Sequence, residues 1–219
     1  MPAIKACLFD LDGVIVDTAK FHYLAWRQLA NDLGFDLTEE QNEQLKGISR
    51  VESLEIILKI GGVKLSEEEK LSRAAEKNLR YLELCKQMTP EDTLPGVRKF
   101  LDELKSASIG IGLGSASKNA KVILERIDML SYFETIVDGN RVTKGKPDPQ
   151  VFLMGAEDLN VAPENCVVFE DAVAGIQSGN SAGMFTVGIG EASVLTEASI
   201  VVPGFTDFHF TDLLEKTGN

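Results

Sequence analysis

The chain has 219 residues, of which 44% are hydrophobic, and its 34 acidic against 22 basic side chains leave a net charge of −12. That length and apolar content suffice for a full α/β core plus a smaller second unit, and they exclude a disordered chain. The negative balance argues against a nucleic-acid partner and requires that any anionic ligand find a local positive site set against the overall field.

No apolar run approaches the ~20 residues of a membrane helix, and Met1–Lys5 lacks the pattern of a signal peptide. No membrane partner is therefore expected. Cys7, Cys85 and Cys166 show no metal-binding spacing and leave one unpaired, which suits a reducing cytoplasm.

The first element is the apolar run Ala6-Cys7-Leu8-Phe9, a short buried strand, and Asp10-Leu11-Asp12-Gly13-Val14 follows it. Two carboxylates thus sit where a parallel strand would end, the edge at which open α/β sheets collect ligands. Gly13 lets the chain turn at once, so one carboxylate can act as nucleophile and the other as acid/base.

A helix is expected over 18–33, with Phe21, Leu24, Ala25, Leu29 and Leu33 at helical spacing and Gly34 as its stop. Thr38-Glu39-Glu40-Gln41 is a capping box for a second helix ending near Gly47. A third covers 50–60, and Ser66-Glu67-Glu68-Glu69 opens a fourth reaching about Met88. About seventy residues after the first strand are thus all-helical. From Pro95 the pattern alternates: helices over 96–106, 117–127, 149–159 and 172–182, strands over 109–113, 135–137, 166–169 and 185–189. A last strand at 200–202 and a terminal helix near 211–216 complete it. Alternation of this kind implies a parallel sheet with helices on both faces. The expected division is a core of 1–15 with 91–219, and a helical cap of 16–90 joined by two linkers.

Four motifs then fall in order at strand ends: Asp10-Leu11-Asp12-Gly13, Gly114-Ser115-Ala116-Ser117, Lys146-Pro147 and Glu170-Asp171. Over its whole length the chain resembles the haloacid dehalogenase superfamily of phosphotransferases. The resemblance implies a doubly wound, Rossmann-like α/β fold with an inserted α-helical cap. It implies that Asp10 attacks phosphorus to form an aspartyl phosphate and that Asp12 exchanges protons with the sugar hydroxyl. Mg²⁺ would be held by Asp10, the Asp12 backbone carbonyl, Glu170 and Asp171, a hard oxygen set. Lys146 would supply positive charge, and Ser115 would hold phosphoryl oxygens. Blander roles exist for some of these: Ser115 and Ser117 as helix caps, Lys144 or Lys146 as a solvated loop charge, Glu170 as a first-turn charge with Asp171 as N-cap.

Within the cap, Leu45-Lys46-Gly47-Ile48-Ser49-Arg50, the run Thr18, His22 and Trp26, and Ser115-Ala116-Ser117-Lys118-Asn119 are similar to the β-phosphoglucomutase family. On that resemblance Arg50 grips the phosphate that is not transferred, since a planar guanidinium fork suits phosphate, and Lys118 and Asn119 bind the same phosphate or nearby hydroxyls. Lys46, Gly47, Ile48 and Ser53 line the sugar site, with Thr18, His22, Lys77, Ala116 and Ser117 completing it. His22 lies one helical turn from Thr18 and could order the hinge or tune Asp12. Trp26 reads as packing, and His209 matches nothing. The implied reaction interconverts β-glucose 1-phosphate and glucose 6-phosphate through β-glucose 1,6-bisphosphate, in a cytoplasmic monomer. The alternative is a Mg²⁺-dependent sugar-phosphate phosphatase.

Overall fold

The computed structural model describes residues 3–45 and 48–218. Six strands form one parallel sheet: β1 (Ala6–Phe9), β2 (Gly110–Gly114), β3 (Thr135–Val137), β4 (Cys166–Glu170), β5 (Phe185–Ile189) and β6 (Ile200–Val202). Their spatial order is β3-β2-β1-β4-β5-β6. The chain steps from β1 to β2 and β3 on one side, then crosses to β4 and beyond on the other. The ends of β1 and β4 therefore flank the point where the winding reverses, which opens a crevice at the carboxyl edge.

Side-chain alternation along the strands divides the core. Ala6, Leu8, Cys166 and Val168 pack toward Val151, Phe152 and Ala156 of α7 (Gln150–Asp158). Cys7, Phe9, Val167 and Phe169 face the other way, where Phe9 stacks on Phe169 at 4.6 Å and Phe100, Phe205 and Phe208 close the layer. Phe100 lies on α5 (Val97–Ser106), which also packs against α9 (Phe210–Thr217). The expected doubly wound α/β architecture is thus observed.

Between β1 and β2 run α1 (Ala19–Asp32), α2 (Glu39–Glu43), α3 (Arg50–Gly61) and α4 (Glu67–Cys85). Each of α2, α3 and α4 opens on a reciprocal capping box, and α3 closes on Gly62 in the left-handed region. These helices bury their own apolar cluster, with Trp26, Leu29, Leu37, Leu54, Ile57 and Leu58 at its centre. The chain enters and leaves this unit side by side, because Val16 bridges Thr93 in antiparallel fashion and Leu94 N–H donates to the Ile15 carbonyl.

Three boundaries differ from expectation by three residues or more. The helix expected from Ser117 is α6 (Ala120–Arg126), because Ser115 and Ser117 first close two side-chain turns. The fourth helix stops at Cys85, three residues short of Met88, and its tail tightens into i→i+3 bonds such as Met88 N–H to the Cys85 carbonyl. The second helix stops at Glu43 with Gln44 as its C-cap, short of the expected end near Gly47, and Lys46 and Gly47 themselves lie outside the described residues.

Candidate active site

Asp10 extends the β1 ladder by one residue, its N–H donating to the Phe169 carbonyl at 2.9 Å. It is 8% exposed and points at the crevice with Glu170, which is 1% exposed at the end of β4. Lys146 reaches into the same space with its side chain 2% exposed, its Nζ 2.5 Å from Asp10 Oδ1 and also bonded to Glu170 Oε1. Burial alone would lower the Lys146 ammonium, but Asp10 and Glu170 outweigh it and hold the lysine firmly charged. Burial pushes the Glu170 carboxyl above its ordinary range, against the pull of Lys146.

Carboxylate oxygens of Asp10, Glu170 and Asp171 all lie within 4.8 Å of one another. Two glycines make this convergence sterically possible. A Cβ at Gly13, whose φ is +80°, would fall 2.1 Å from Asp171 Oδ2, and one at Gly175 would fall 1.8 Å from Glu170 Oε1. A side chain at either position would fill the seat of a carboxylate. Glu170 is further fixed by the Ala172 N–H, which donates to its Oε2 at 2.9 Å. Ala172, not Asp171, is the N-cap of α8 (Val173–Ser181). The oxygen-only donors and their convergence fit a hard divalent cation such as Mg²⁺.

Asp12 lies half-buried past the turn and accepts a hydrogen bond from the Thr18 hydroxyl at the entry to α1. Burial, with the Asp10 charge beside it, pushes the Asp12 carboxyl up to about 7. An acid of that strength can both give and take a proton near neutrality.

Above it, His22 on α1 and Lys77 on α4 meet at 2.9 Å between Nδ1 and Nζ. Lys77 is 2% exposed and rests 4.3 Å from the Trp26 ring centroid and 5.0 Å from that of Tyr81. Burial, then the Arg50 charge, lowers the Lys77 amine to about 7. Burial and the two cations hold the His22 imidazole well below its ordinary value, so it is neutral. His22 therefore pairs with Lys77, with Tyr81 at 4.1 Å between ring centroids.

Arg50 opens α3 and is half-buried, with burial lowering its guanidinium. Ser53 is 3% exposed one turn further on, and Ile48 shares a cavity of about 990 Å³ with Gly13 and Asp171. On the core side Ser115 is 1% exposed, and its Oγ accepts the Ser117 N–H at 3.1 Å. Ala116 and Ser117 are half-buried, Lys118 is exposed and Asn119 is buried. A Cβ at Gly139 would meet the Ala116 carbonyl at 2.4 Å, so this loop is seated on bare backbone.

Direct side-chain contacts thus unite Asp10, Asp12, Thr18, Lys146 and Glu170 into connected groups, and join His22 to Lys77. Of the other expected residues, Ser115 to Asn119 lie on the turn after β2, Asp171 follows β4, Ile48 precedes α3, and Arg50 and Ser53 lie on its first turns, while Lys46 and Gly47 lie outside the described residues. Sequence reasoning missed Tyr81 and Gly175. Tyr81 follows Lys77 by four positions, a spacing that puts both on one helical face. Gly175 carries no local signal, because its purpose is set by a carboxylate on another element.

The family model for haloacid dehalogenase-like hydrolases matches residues 4–183. The chain belongs to the haloacid dehalogenase-like hydrolase family. Enzymes of this family generally use Mg²⁺, and the buried acidic cluster is present here. Among members of the haloacid dehalogenase-like family, the chain is 47% identical to the β-phosphoglucomutase of Bacillus subtilis, over 97% of its own length and 95% of that protein's. The crystal structure of β-phosphoglucomutase from Clostridium difficile superposes with a TM-score of 0.95 at 47% identity, covering 98% of this chain and 97% of that one. A phosphorylated carbohydrates phosphatase of Thermotoga maritima is 35% identical over 83% of the chain and 82% of its own length. Among the described residues, no helix is long and apolar enough to cross a membrane.

Proposed function

We propose that this haloacid dehalogenase-like enzyme interconverts β-D-glucose 1-phosphate and glucose 6-phosphate, through β-glucose 1,6-bisphosphate and an aspartyl phosphate on Asp10. The observation that carries this reading is the near full-length likeness to two β-phosphoglucomutases, one in sequence and one in fold. The geometry supports it.

Asp10 is the nucleophile: its carboxylate Oδ attacks phosphorus, and the departing sugar oxygen takes a proton from Asp12. In the return direction Asp12 accepts the proton of the sugar hydroxyl as that oxygen attacks the phosphorylated Asp10. A carboxyl near 7 serves both directions. Lys146 offsets the charge of the nucleophile and of the incoming phosphoryl oxygens. Ser115 and the neighbouring backbone N–H groups bind those oxygens. Asp10, the Asp12 carbonyl, Glu170 and Asp171 would hold Mg²⁺, which supplies charge neutralisation for the transferring phosphoryl group.

Residues 16–90 act as a cap that excludes water and presents either end of the sugar. In it Arg50, with Lys118 and Asn119 from the core, grips the phosphate that stays behind. Lys46, Gly47, Ile48 and Ser53 contact the sugar, while Thr18, His22 and Lys77 connect the cap to Asp12. The three free cysteines, all buried, suit a reducing cytoplasm.

A hydrolase reading has support in the 35% identity to a carbohydrate phosphatase. One assay separates them. The protein is given β-glucose 1-phosphate, Mg²⁺ and a trace of β-glucose 1,6-bisphosphate, and glucose 6-phosphate and inorganic phosphate are both measured. The mutase accumulates glucose 6-phosphate with little phosphate release. Stoichiometric phosphate without glucose 6-phosphate overturns the proposal.

A further inference from the structure

Asn119 stands at the N-cap of α6, a position where asparagine ordinarily accepts a backbone N–H of the first turn. It makes no such bond here. Its Nδ2 instead donates to Asn78 Oδ1 at 2.8 Å, across 41 positions of sequence and from core to cap. Asn119 is 8% exposed and Asn78 is half-buried on α4, immediately after the buried Lys77. The cap approaches the core at a second place. A Cβ at Gly145 would lie 3.9 Å from Glu52 Oε2 of α3, beside the loop that delivers Lys146. Both places of approach are loops that leave the carboxyl edge of the sheet. Both also carry groups assigned above to the phosphoryl chemistry.

We propose that Asn78 is a positioning residue, which registers α4 on the Ser115–Asn119 loop and fixes the orientation of the Asn119 carboxamide. This rests on the reading of Asn119 as a contact to the phosphate that is not transferred. A free Asn119 amide could rotate to present either its oxygen or its nitrogen. Engaging Nδ2 with the Asn78 oxygen aligns the amide plane and leaves the remaining Nδ2 hydrogen as the donor available to an anion. The choice of a neutral pair follows from the same chemistry. A carboxylate at position 78 would also accept from Nδ2, but it would set a negative charge against the incoming phosphate. A neutral hydrogen bond is also weak enough, net, to break and re-form readily.

The test is a double-substitution cycle with Asn78→Ala, Asn119→Ala and the pair. Ligand-free proteins are measured by small-angle X-ray scattering, and KM and kcat are measured with β-glucose 1-phosphate. Asn78→Ala is expected to raise KM about five-fold, the size of one net hydrogen bond, with kcat changed less. Its radius of gyration should exceed that of the unsubstituted protein. The paired variant should be no worse than Asn119→Ala alone, because both substitutions remove the same bond. Asn78→Asp should keep the compact scattering profile yet raise KM, since the acceptor survives while the charge opposes phosphate. Unchanged KM and scattering in Asn78→Ala, or additive losses in the pair, would overturn the proposal. The scattering arm uses no substrate, so it judges the clasp even where turnover of glucose phosphates fails and the functional reading falls.

Discussion

Replacing Lys77 by methionine should make the protein more stable at pH 7 and less active. The amine is 2% exposed and loses its proton near 7, against an ordinary value of 10.5. Between those two values the unfolded chain binds a proton that the folded chain gives up. Stability therefore rises with pH across that window and is lost as pH falls toward 7. Relative to an unperturbed lysine the penalty is about 4 kcal/mol at pH 7 and about 2 kcal/mol at pH 9. Methionine fills similar volume without that penalty, but forfeits the bond to His22 and the contact with the Trp26 ring, about 1 kcal/mol each. The net gain is about 2 kcal/mol at pH 7, or roughly 5 °C in Tm, and about 1 kcal/mol at pH 9, where the neutral amine makes no cation–π contact. His22, Arg50, Asp12, Tyr81 and Cys85 also face this amine or its neighbours, and they are common to both proteins. Urea unfolding followed by the fluorescence of Trp26, the single tryptophan, measures the difference at both pH values. A gap between the two proteins that is the same at pH 7 and pH 9 would refute the reasoning.

Asp12→Asn should keep Mg²⁺ and substrate binding, yet slow mutase turnover by ~10²–10⁴-fold; single-turnover decay of the phosphorylated enzyme with and without glucose 6-phosphate checks it, and sugar-independent decay in the unsubstituted enzyme would contradict the role given to Asp12. Arg50→Ala should weaken hexose-phosphate binding by roughly 10–100-fold through loss of a charge-assisted fork. Phosphorylation of Asp10 by acetyl phosphate, which never reaches that grip, should be spared; equal losses with both donors would move Arg50 elsewhere. Gly13→Ala must displace Asp171, whose Oδ2 stands 2.1 Å from the added Cβ, and it also strains a backbone at φ +80°. Calorimetric Mg²⁺ affinity should drop at least ~10-fold with the far-ultraviolet spectrum unchanged, and an unaltered affinity would remove Asp171 from the metal site.

What could be read from sequence was whatever is local. The apolar run before Asp10, the capping boxes at Thr38 and Ser66, and the strand–helix alternation after Pro95 each rest on neighbours a few residues apart. So did the order of the acidic and basic motifs at strand ends. The strand order required the crossing from β3 to β4, which no local pattern specifies. α6 starts later than its sequence pattern implies because serine hydroxyls at 115 and 117 satisfy backbone N–H groups before the helix begins. The His22–Lys77 and Asn78–Asn119 pairs span 55 and 41 positions, so their partners were unknowable until the helices packed. Gly175 looks like any small helical residue until Glu170 is seen resting where its side chain would be.

The side-by-side entry and exit of the helical unit, tied by Val16 and Thr93, has an architectural consequence. A segment whose two ends meet can be excised or exchanged without shifting the register of the strands on either side, as tolerated insertions generally show. The residues proposed to break and make the phosphorus–oxygen bond, Asp10, Asp12, Ser115 and Lys146, all lie outside that segment. On that proposal, the part assigned to sugar choice is free to diversify, or to be transplanted, while the part assigned to phosphate transfer stays fixed. A chimera carrying a foreign four-helix module between Val16 and Thr93 would inherit its selectivity from the donor and its chemistry from the host.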